Sequence, residues 1–183
     1  FLRIPDVFTV DKADVDEELI SKAILSALSE ALDGFDTMRI AEGEKLVSDL
    51  KEHLAFIANA TAEVEKRSPE IVTEYRQRIE ERMRDILGSA TYDETRLLTE
   101  VAIFSDKVNV NEETVRLRSH VDQFTKMLDE GGSVGRKIDF LIQEMNRETN
   151  TIGSKAQDVE IAHIVVDIKS EIEKIREQIQ NVE

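Results

Sequence analysis

An all-α fold is what this sequence predicts, and three observations carry that expectation. Seven glycines and two prolines supply only 9 of 183 residues, about 5% against an average nearer 12%, too few turn residues for a β-sandwich or barrel. Apolar residues recur at three- and four-residue intervals along most of the chain, which is the helical period. Acidic or small polar side chains stand just before several of these runs, where helix N-caps belong. Hydrophobic residues make up 40% and charged residues 34%, and the regular spacing of the apolar positions separates the chain from a disordered acidic tail. The length fits one domain or a little more, enough to bury a sizeable core.

The elements follow in order. Asp14-Val15-Asp16-Glu17 has capping-box form and leads into Leu19, Ala23, Leu25 and Leu28, a first helix up to Gly34. From about Asp36 to Arg67, the positions Val47, Leu50, Leu54, Ile57, Thr61 and Val64 keep a 3-4-3-4-3 spacing, a narrow seam on a long helix. Ser68-Pro69 is expected to end it, with Ser as N-cap and Pro at the first position of a return helix through Ile71, Tyr75, Ile79, Met83 and Ile86. The two arms would form a long hairpin. Thr91-Tyr92-Asp93-Glu94 opens a helix with Leu97, Leu98, Val101 and Phe104; Asn111 is expected to cap the next, which Gly131-Gly132 stops. A helix from about Gly135 to Glu148 and a polar link through Gly153 come next. Finally Ile161, Val165, Ile168, Ile172, Ile175, Ile179 and Val182 repeat at strict 4-3 spacing, a coiled-coil-like seam. β-Branched residues at both seam positions favour three or four helices over two, and the partners are either other subunits or the rest of this chain. Three regions result: 1–68, 69–130 and 131–183.

Composition excludes several functions. With no Cys there are no disulfides, thiolate metal sites or thiol nucleophiles, and a reducing, cytoplasmic location is expected. No apolar run nears the roughly 20 residues that cross a bilayer, so no membrane partner is expected. Asn59-Ala60-Thr61 fits the glycosylation pattern but is read as structural. The 39 acidic and 24 basic residues leave a net charge of -15, which repels nucleic acid unless basic groups are concentrated locally. They are: residues 1–60 hold 13 acidic and 6 basic side chains, net -7, whereas residues 131–156 hold 3 acidic and 4 basic, net +1.

That second segment is the informative one. On a helix, Ile138, Leu141, Ile142 and Met145 form an apolar face. Arg136, Asp139, Gln143, Asn146, Arg147 and Asn150 share one polar stripe, and Lys137, Glu144 and Glu148 share a second beside it. Amides interleaved with Arg and carboxylates suit hydrogen bonding to a polar ligand. Glu144 and Glu148 are a like-charge pair four apart, unfavourable unless a cation lies between them. Arg136, Lys137 and Arg147 suit phosphates; an ordinary network of helix ion pairs accounts for the same spacing. Glu160 and His163 form one Glu-x-x-His pair, but a di-iron bundle needs two such pairs. The Arg76, Arg78, Arg82 and Arg84 cluster, interleaved with Glu, reads as a solvated face.

The run Gly135-Arg136-Lys137-Ile138-Asp139-Phe140-Leu141-Ile142-Gln143-Glu144-Met145-Asn146-Arg147-Glu148, followed by Asn150-Thr151-Ile152-Gly153-Ser154-Lys155, resembles the C-terminal signature of the YicC/YloC family of bacterial proteins. Arg39, Glu42-Gly43, Glu100-Val101-Ala102, Glu112-Glu113, Arg116, Ser119-His120 and Phe124 agree with it, and the likeness covers essentially the whole chain. Asn109 departs from it, standing where an acidic residue is expected. The resemblance implies a stress-induced, metal-dependent endoribonuclease that cuts single-stranded RNA, usually with manganese, and assembles as a hexamer around a channel. It also implies an N-terminal domain upstream of Phe1, absent here.

Phosphodiester cleavage needs a cation or base to activate the nucleophile, positive charge for the transition state, and an acid for the leaving oxygen. Glu144 and Glu148 are the expected metal ligands, for Mn2+ or alternatively Mg2+. His120 is the candidate acid or base, because histidine titrates near neutrality, and Asp139 is a reserve base or ligand. Arg136, Lys137, Arg147, Asn150 and Lys155 are expected to hold the RNA. The rival reading is a non-enzymatic helical adaptor engaging other RNA-decay proteins.

Overall fold

A computed structural model describes residues 16–88, 93–132 and 135–180. It contains five helices and, among the described residues, no strand: α1 (Glu17–Leu87), α2 (Glu94–Val108), α3 (Asn111–Glu130), α4 (Gly135–Lys155) and α5 (Val159–Gln180). The chain divides into two compact units, Phe1–Lys45 and Leu46–Glu183. In the first, the described residues are the opening turns of α1, started by Asp16, whose Oδ1 accepts from the Leu19 N–H at 3.1 Å. Asp14, the first residue of the expected capping box, lies outside the described residues.

The second unit is a four-helix bundle of α1 from Leu46 onward, α3, α4 and α5, with an all-α architecture as expected. Side-chain pairs fix the helix directions. Lys51 meets Asp129 at 2.5 Å and Glu65 meets Arg118 at 2.6 Å, so α3 runs antiparallel to α1. His53 meets Glu171 at 2.5 Å and Arg67 meets Asp158 at 2.9 Å, so α5 does too. α4 packs along both α3 and α5. Gly153 allows the close approach to α5: a Cβ there would sit 3.0 Å from a Val165 methyl. The core is one cluster that includes Leu50, Leu54, Ile57 and Val64 of α1, Leu117 and Phe124 of α3, Met145 and Ile152 of α4, and Ile161, Ile168, Ile172 and Ile175 of α5. Thus the isoleucine seam packs within this chain; Val182, its last expected member, lies outside the described residues. Thr61 of the glycosylation pattern is buried, its hydroxyl donating to the Ile57 carbonyl at 2.7 Å.

Two expected breaks in α1 do not occur. Gly34 is helical, and so is Ser68-Pro69, so there is no hairpin reversal at residue 68. Proline removes one N–H and crowds the carbonyl four residues back, which locally disfavours helix. Two features compensate. Ile71 and Tyr75 continue the 3-4 seam of residues 47–64 without a phase shift, and Ile71 is buried in the core. Arg67 also bridges the proline, reaching Glu70 at 3.3 Å and Glu74 at 2.5 Å. Beyond it, Tyr75 stacks on Phe104 of α2 with ring centroids 3.6 Å apart.

Helix ends differ in detail. Asp93 caps α2 by accepting from the Thr95 N–H at 3.0 Å, while Thr91 and Tyr92 lie outside the described residues. Asn111 is the first residue of α3, not its cap; Asn109 accepts from the Asn111 N–H at 3.0 Å instead. Gly131 ends α3 at φ +66°, a left-handed conformation that glycine adopts without strain. α4 runs seven residues past the expected end at Glu148. The hydroxyls of Thr149, Thr151 and Ser154 donate back to carbonyls of the same helix, so this polar stretch is satisfied as helix, and Ile152 anchors it in the core. Asp158 then caps α5, accepting from the Ile161 N–H at 3.0 Å with one carboxylate oxygen and from Arg67 with the other.

Burial alone would raise the Asp158 pKa, but the Arg67 guanidinium and the N–H groups of Ile161 and Glu160 outweigh it and hold the carboxyl below its usual range. Glu74 is held low by Arg67. For Glu171, burial is outweighed by hydrogen bonds from Lys174 and His53. Depressed carboxyl pKa values stabilise the fold above the unfolded value near 4, and that contribution is lost as pH falls through the folded values. Asp158→Ala is therefore expected to cost about 1 kcal/mol at neutral pH through the lost cap, with the gap to wild type closing below about pH 4; urea titrations across pH measure it. Pro69→Ala is expected to stabilise by about 1–2 kcal/mol, because proline sits in a helix interior. No change in the urea midpoint would place Pro69 at a helix start instead.

Candidate metal and phosphate site

α3 and α4 form an antiparallel pair, and their facing edges carry the candidate site. On α3 the spacing Glu113, Arg116, His120, Gln123 and Met127 keeps one edge toward α4. On α4 the matching edge carries Lys137, Phe140, Glu144, Glu148 and Lys155. The pairs follow in antiparallel order: Lys155 Nζ lies 2.6 Å from Glu113 Oε1, Arg116 Nη1 lies 3.7 Å from Glu148 Oε1, and His120 stands among the two glutamates.

His120, Glu144 and Glu148 each bring one ligand atom to within 4.8 Å of the other two. Among the described residues this is the group of three His, Asp or Glu side chains close enough to hold one ion. Ligand atoms about 2.1 Å from a cation lie roughly 3–4 Å from each other, so separations of up to 4.8 Å would close by about 1 Å or more around one ion. Glu148 is buried, and His120 Nδ1 is buried with no hydrogen-bond partner. An orphaned buried nitrogen is costly, and the imidazole that carries it brings a ring nitrogen near two carboxylates whose charge a cation would neutralise. Two carboxylates and an imidazole form a donor set for a divalent cation that accepts both oxygen and nitrogen ligands. Three protein ligands leave coordination positions for water and a phosphate oxygen.

Cations surround these three residues. Arg116 is half-exposed and hydrogen-bonds Glu112 as well as facing Glu148. Arg136 and Lys137 line a cleft of about 290 Å³ that includes His120, Gln123 and Phe140. At the other end Lys155 and Arg116 line a larger polar cleft of about 640 Å³ with Asn109, Asn111 and Glu113. Lys155 is positioned there by the buried Glu113.

The expected site residues therefore separate into two sets. Glu144, Glu148 and His120 come together, and Lys137 and Lys155 fall on the same edge. Asp139 is exposed on α4 and lies outside the three-residue group. Arg147 is exposed and reaches Glu144 at 3.4 Å, an intrahelical pair, and Asn150 is exposed. Of the two polar stripes on α4, the one with lysine and glutamates faces α3, and the amide-rich one faces away from it except at its first residue, Arg136, which lines the cleft with His120 and Gln123 of α3. The roles of Arg116 as a partner of Glu148 and of Glu113 as a partner of Lys155 are not legible in α4 alone; the 3-4-3 spacing from Glu113 to Gln123 on α3 was their signal. His163 is exposed, and Glu160 pairs with Arg67 at 3.1 Å, so that Glu-x-x-His pair is structural.

Comparison with known proteins gives the family. Residues 64–183 match the family described as endoribonuclease YicC-like, C-terminal, and residues 1–48 match endoribonuclease YicC-like, N-terminal region. The N-terminal region is thus represented in this chain, contrary to the expectation that it lies wholly upstream. A protein of Clostridioides difficile (strain 630) named probable endoribonuclease YicC is 44% identical over 182 residues, which is 99% of this chain and 62% of that protein. A protein of Haemophilus influenzae with the same name is 38% identical over 182 residues, 100% of this chain and 62% of that protein. The chain thus spans about three fifths of the length of these relatives. By the extent of these matches, the chain belongs to the YicC-like endoribonuclease family.

Proposed function

We propose that this chain carries the cleavage site of a metal-dependent endoribonuclease, placed on the α3–α4 edge. The observation that carries the reading is the convergence of His120, Glu144 and Glu148 within 4.8 Å, flanked by Arg116, Arg136, Lys137 and Lys155. It is supported by the names of both relatives. A divalent cation, manganese by the family resemblance, would polarise a phosphoryl oxygen and lower the pKa of bound water.

The chain's own residues do the rest. His120, Glu144 and Glu148 hold the cation; Glu148 is oriented by Arg116. Arg136 and Lys137 on one side, and Lys155 on the other, receive the phosphates flanking the cut, so the RNA runs along the edge between α3 and α4. Positive charge from Arg116 stabilises the developing charge on the transferring phosphoryl group. Asp139 stands on another face of α4 from the two glutamates and has no role in this reading.

A homo-oligomer, hexameric by the family resemblance, belongs to the same reading. In the first unit Ile24, Leu28, Leu32 and Phe35 are all exposed, and contiguous exposed apolar surface marks association. The non-enzymatic adaptor has no comparable observation in its favour.

Glu144→Gln and Glu148→Gln are each expected to weaken Mn2+ binding, read by electron paramagnetic resonance, by at least about 10-fold, and to slow cleavage of single-stranded RNA by about 100-fold or more. Wild-type rates in both variants would remove them as ligands. Sedimentation at micromolar concentration is expected to show a species larger than a monomer; a lone monomer would sink the assembly.

A further inference from the structure

α4 holds its large apolar residues inside the bundle with one exception. Ile138, Leu141, Ile142, Met145 and Ile152 are each at most 3% exposed, whereas Phe140 is 59% exposed. Exposed apolar side chains are common on this chain, and Phe140 differs from the rest by its place in a cleft beside the three-residue group. Its surroundings say what kind of occupant fits. Phe140 lines the 290 Å³ cleft together with His120, Gln123, Arg136 and Lys137. The cleft therefore offers a flat aromatic face, two exposed cations, one side-chain amide and a direct border with a member of the three-residue group. It has no carboxylate in its lining. Met127 and Leu141 complete a lining that is largely apolar, and a planar ring on an apolar wall with two cations beside it is the chemistry that receives a base together with its phosphate.

We propose that Phe140 is the stacking platform for an unpaired nucleobase immediately next to the phosphate being cut, with Gln123 at the base edge and Arg136 and Lys137 on the adjoining phosphate. The assignment rests on the ribonuclease reading above and deepens it. A base already stacked and paired in a duplex has no face to offer, whereas single strands bind through exposed aromatic rings backed by a basic track. Phe140 thus selects unpaired RNA at the point of cleavage. It is a binding residue, not part of the chemistry: its effect falls on KM more than on kcat.

The test uses the whole chain and a short single-stranded RNA carrying one 2-aminopurine, moved position by position, with EDTA present so that nothing is cut. On wild type, fluorescence is expected to be quenched at one position of the strand. Phe140→Ala is expected to lose that quench and bind about 10-fold more weakly, Phe140→Trp to restore both, and the matching duplex to bind wild type and Phe140→Ala alike. With manganese, Phe140→Ala is expected to raise KM by a similar factor with kcat within about two-fold of wild type. An unchanged quench and affinity in Phe140→Ala overturns the platform while leaving the ribonuclease reading intact. A position-specific quench that depends on Phe140, in a protein that never cuts RNA with manganese, keeps the platform and removes the nuclease. A change of sedimentation in Phe140→Ala with unaltered RNA affinity makes the ring an interface residue and overturns the proposal, and so does a wild type that binds no single-stranded RNA.

Discussion

The antiparallel register between α3 and α4 is the constraint on which the site depends. One helical turn of slippage would move side chains about 5.4 Å, enough to set His120 between Phe140 and Glu144, or between Glu148 and Ile152, instead of between the glutamates. The register is held by burial on one side of the interface and charge on the other. Leu117, Phe124, Met145 and Ile152 are fully buried in one core, and close-packed interiors tolerate few alternative fits. Lys155 with Glu113 and Arg116 with Glu148 then pair at the rim. Two of these four charges, Glu113 and Glu148, are buried. Taking a carboxylate out of water is unfavourable unless it is paired, so the same geometry that secures the register loads the groove with preorganised cations.

α1 supplies the frame against which that pair is set. Its seam keeps phase through Pro69, and Arg67 gathers Glu70, Glu74, Asp158 and Glu160 around one guanidinium. Asp158 belongs at once to that cluster and to the cap of α5, so the short connection after α4 is tied to the middle of α1. A planar guanidinium with five donors can serve several carboxylates in a way that an ammonium cannot. Gln157, beside it, adopts a left-handed φ of +49°, the one such non-glycine position among the described residues, in the tight connection that lets α5 fold back on α4.

Charge is distributed with the same economy. The chain is net -15, yet the edge that faces phosphate in the proposed function presents Arg116, Arg136, Lys137 and Lys155, with Glu113 and Glu148 buried against Lys155 and Arg116 and only Asp106 and Glu112 exposed in the cleft at the Lys155 end. An acidic exterior around such an edge disfavours indiscriminate binding of nucleic acid, and leaves recognition to the groove.

By itself the sequence determined whatever depends on neighbours along the chain. Helical periodicity, the stop at Gly131 and the isoleucine seam are local or strictly periodic and were readable, as were helix starts near the two capping boxes, whose first residues, Asp14 and Thr91, lie outside the described residues while Asp16 and Asp93 provide the caps. The like-charge pair Glu144 and Glu148 was visible in the sequence, and His120 was singled out there as an acid or base, but only the fold brings the three side chains together. Tertiary structure decided the rest, because the competing terms are not local. Pro69 reads as a helix start, but burial of Ile71 and the Arg67 bridges outweigh its local penalty. The residues after Glu148 read as a polar link, but Ile152 has a place in the core and the hydroxyls are satisfied within the helix. Which polar stripe of α4 meets α3, and hence that Asp139, Arg147 and Asn150 stand apart while Arg116 and Glu113 join the site, was set by the packing of two helices whose facing edges no single-helix pattern reveals.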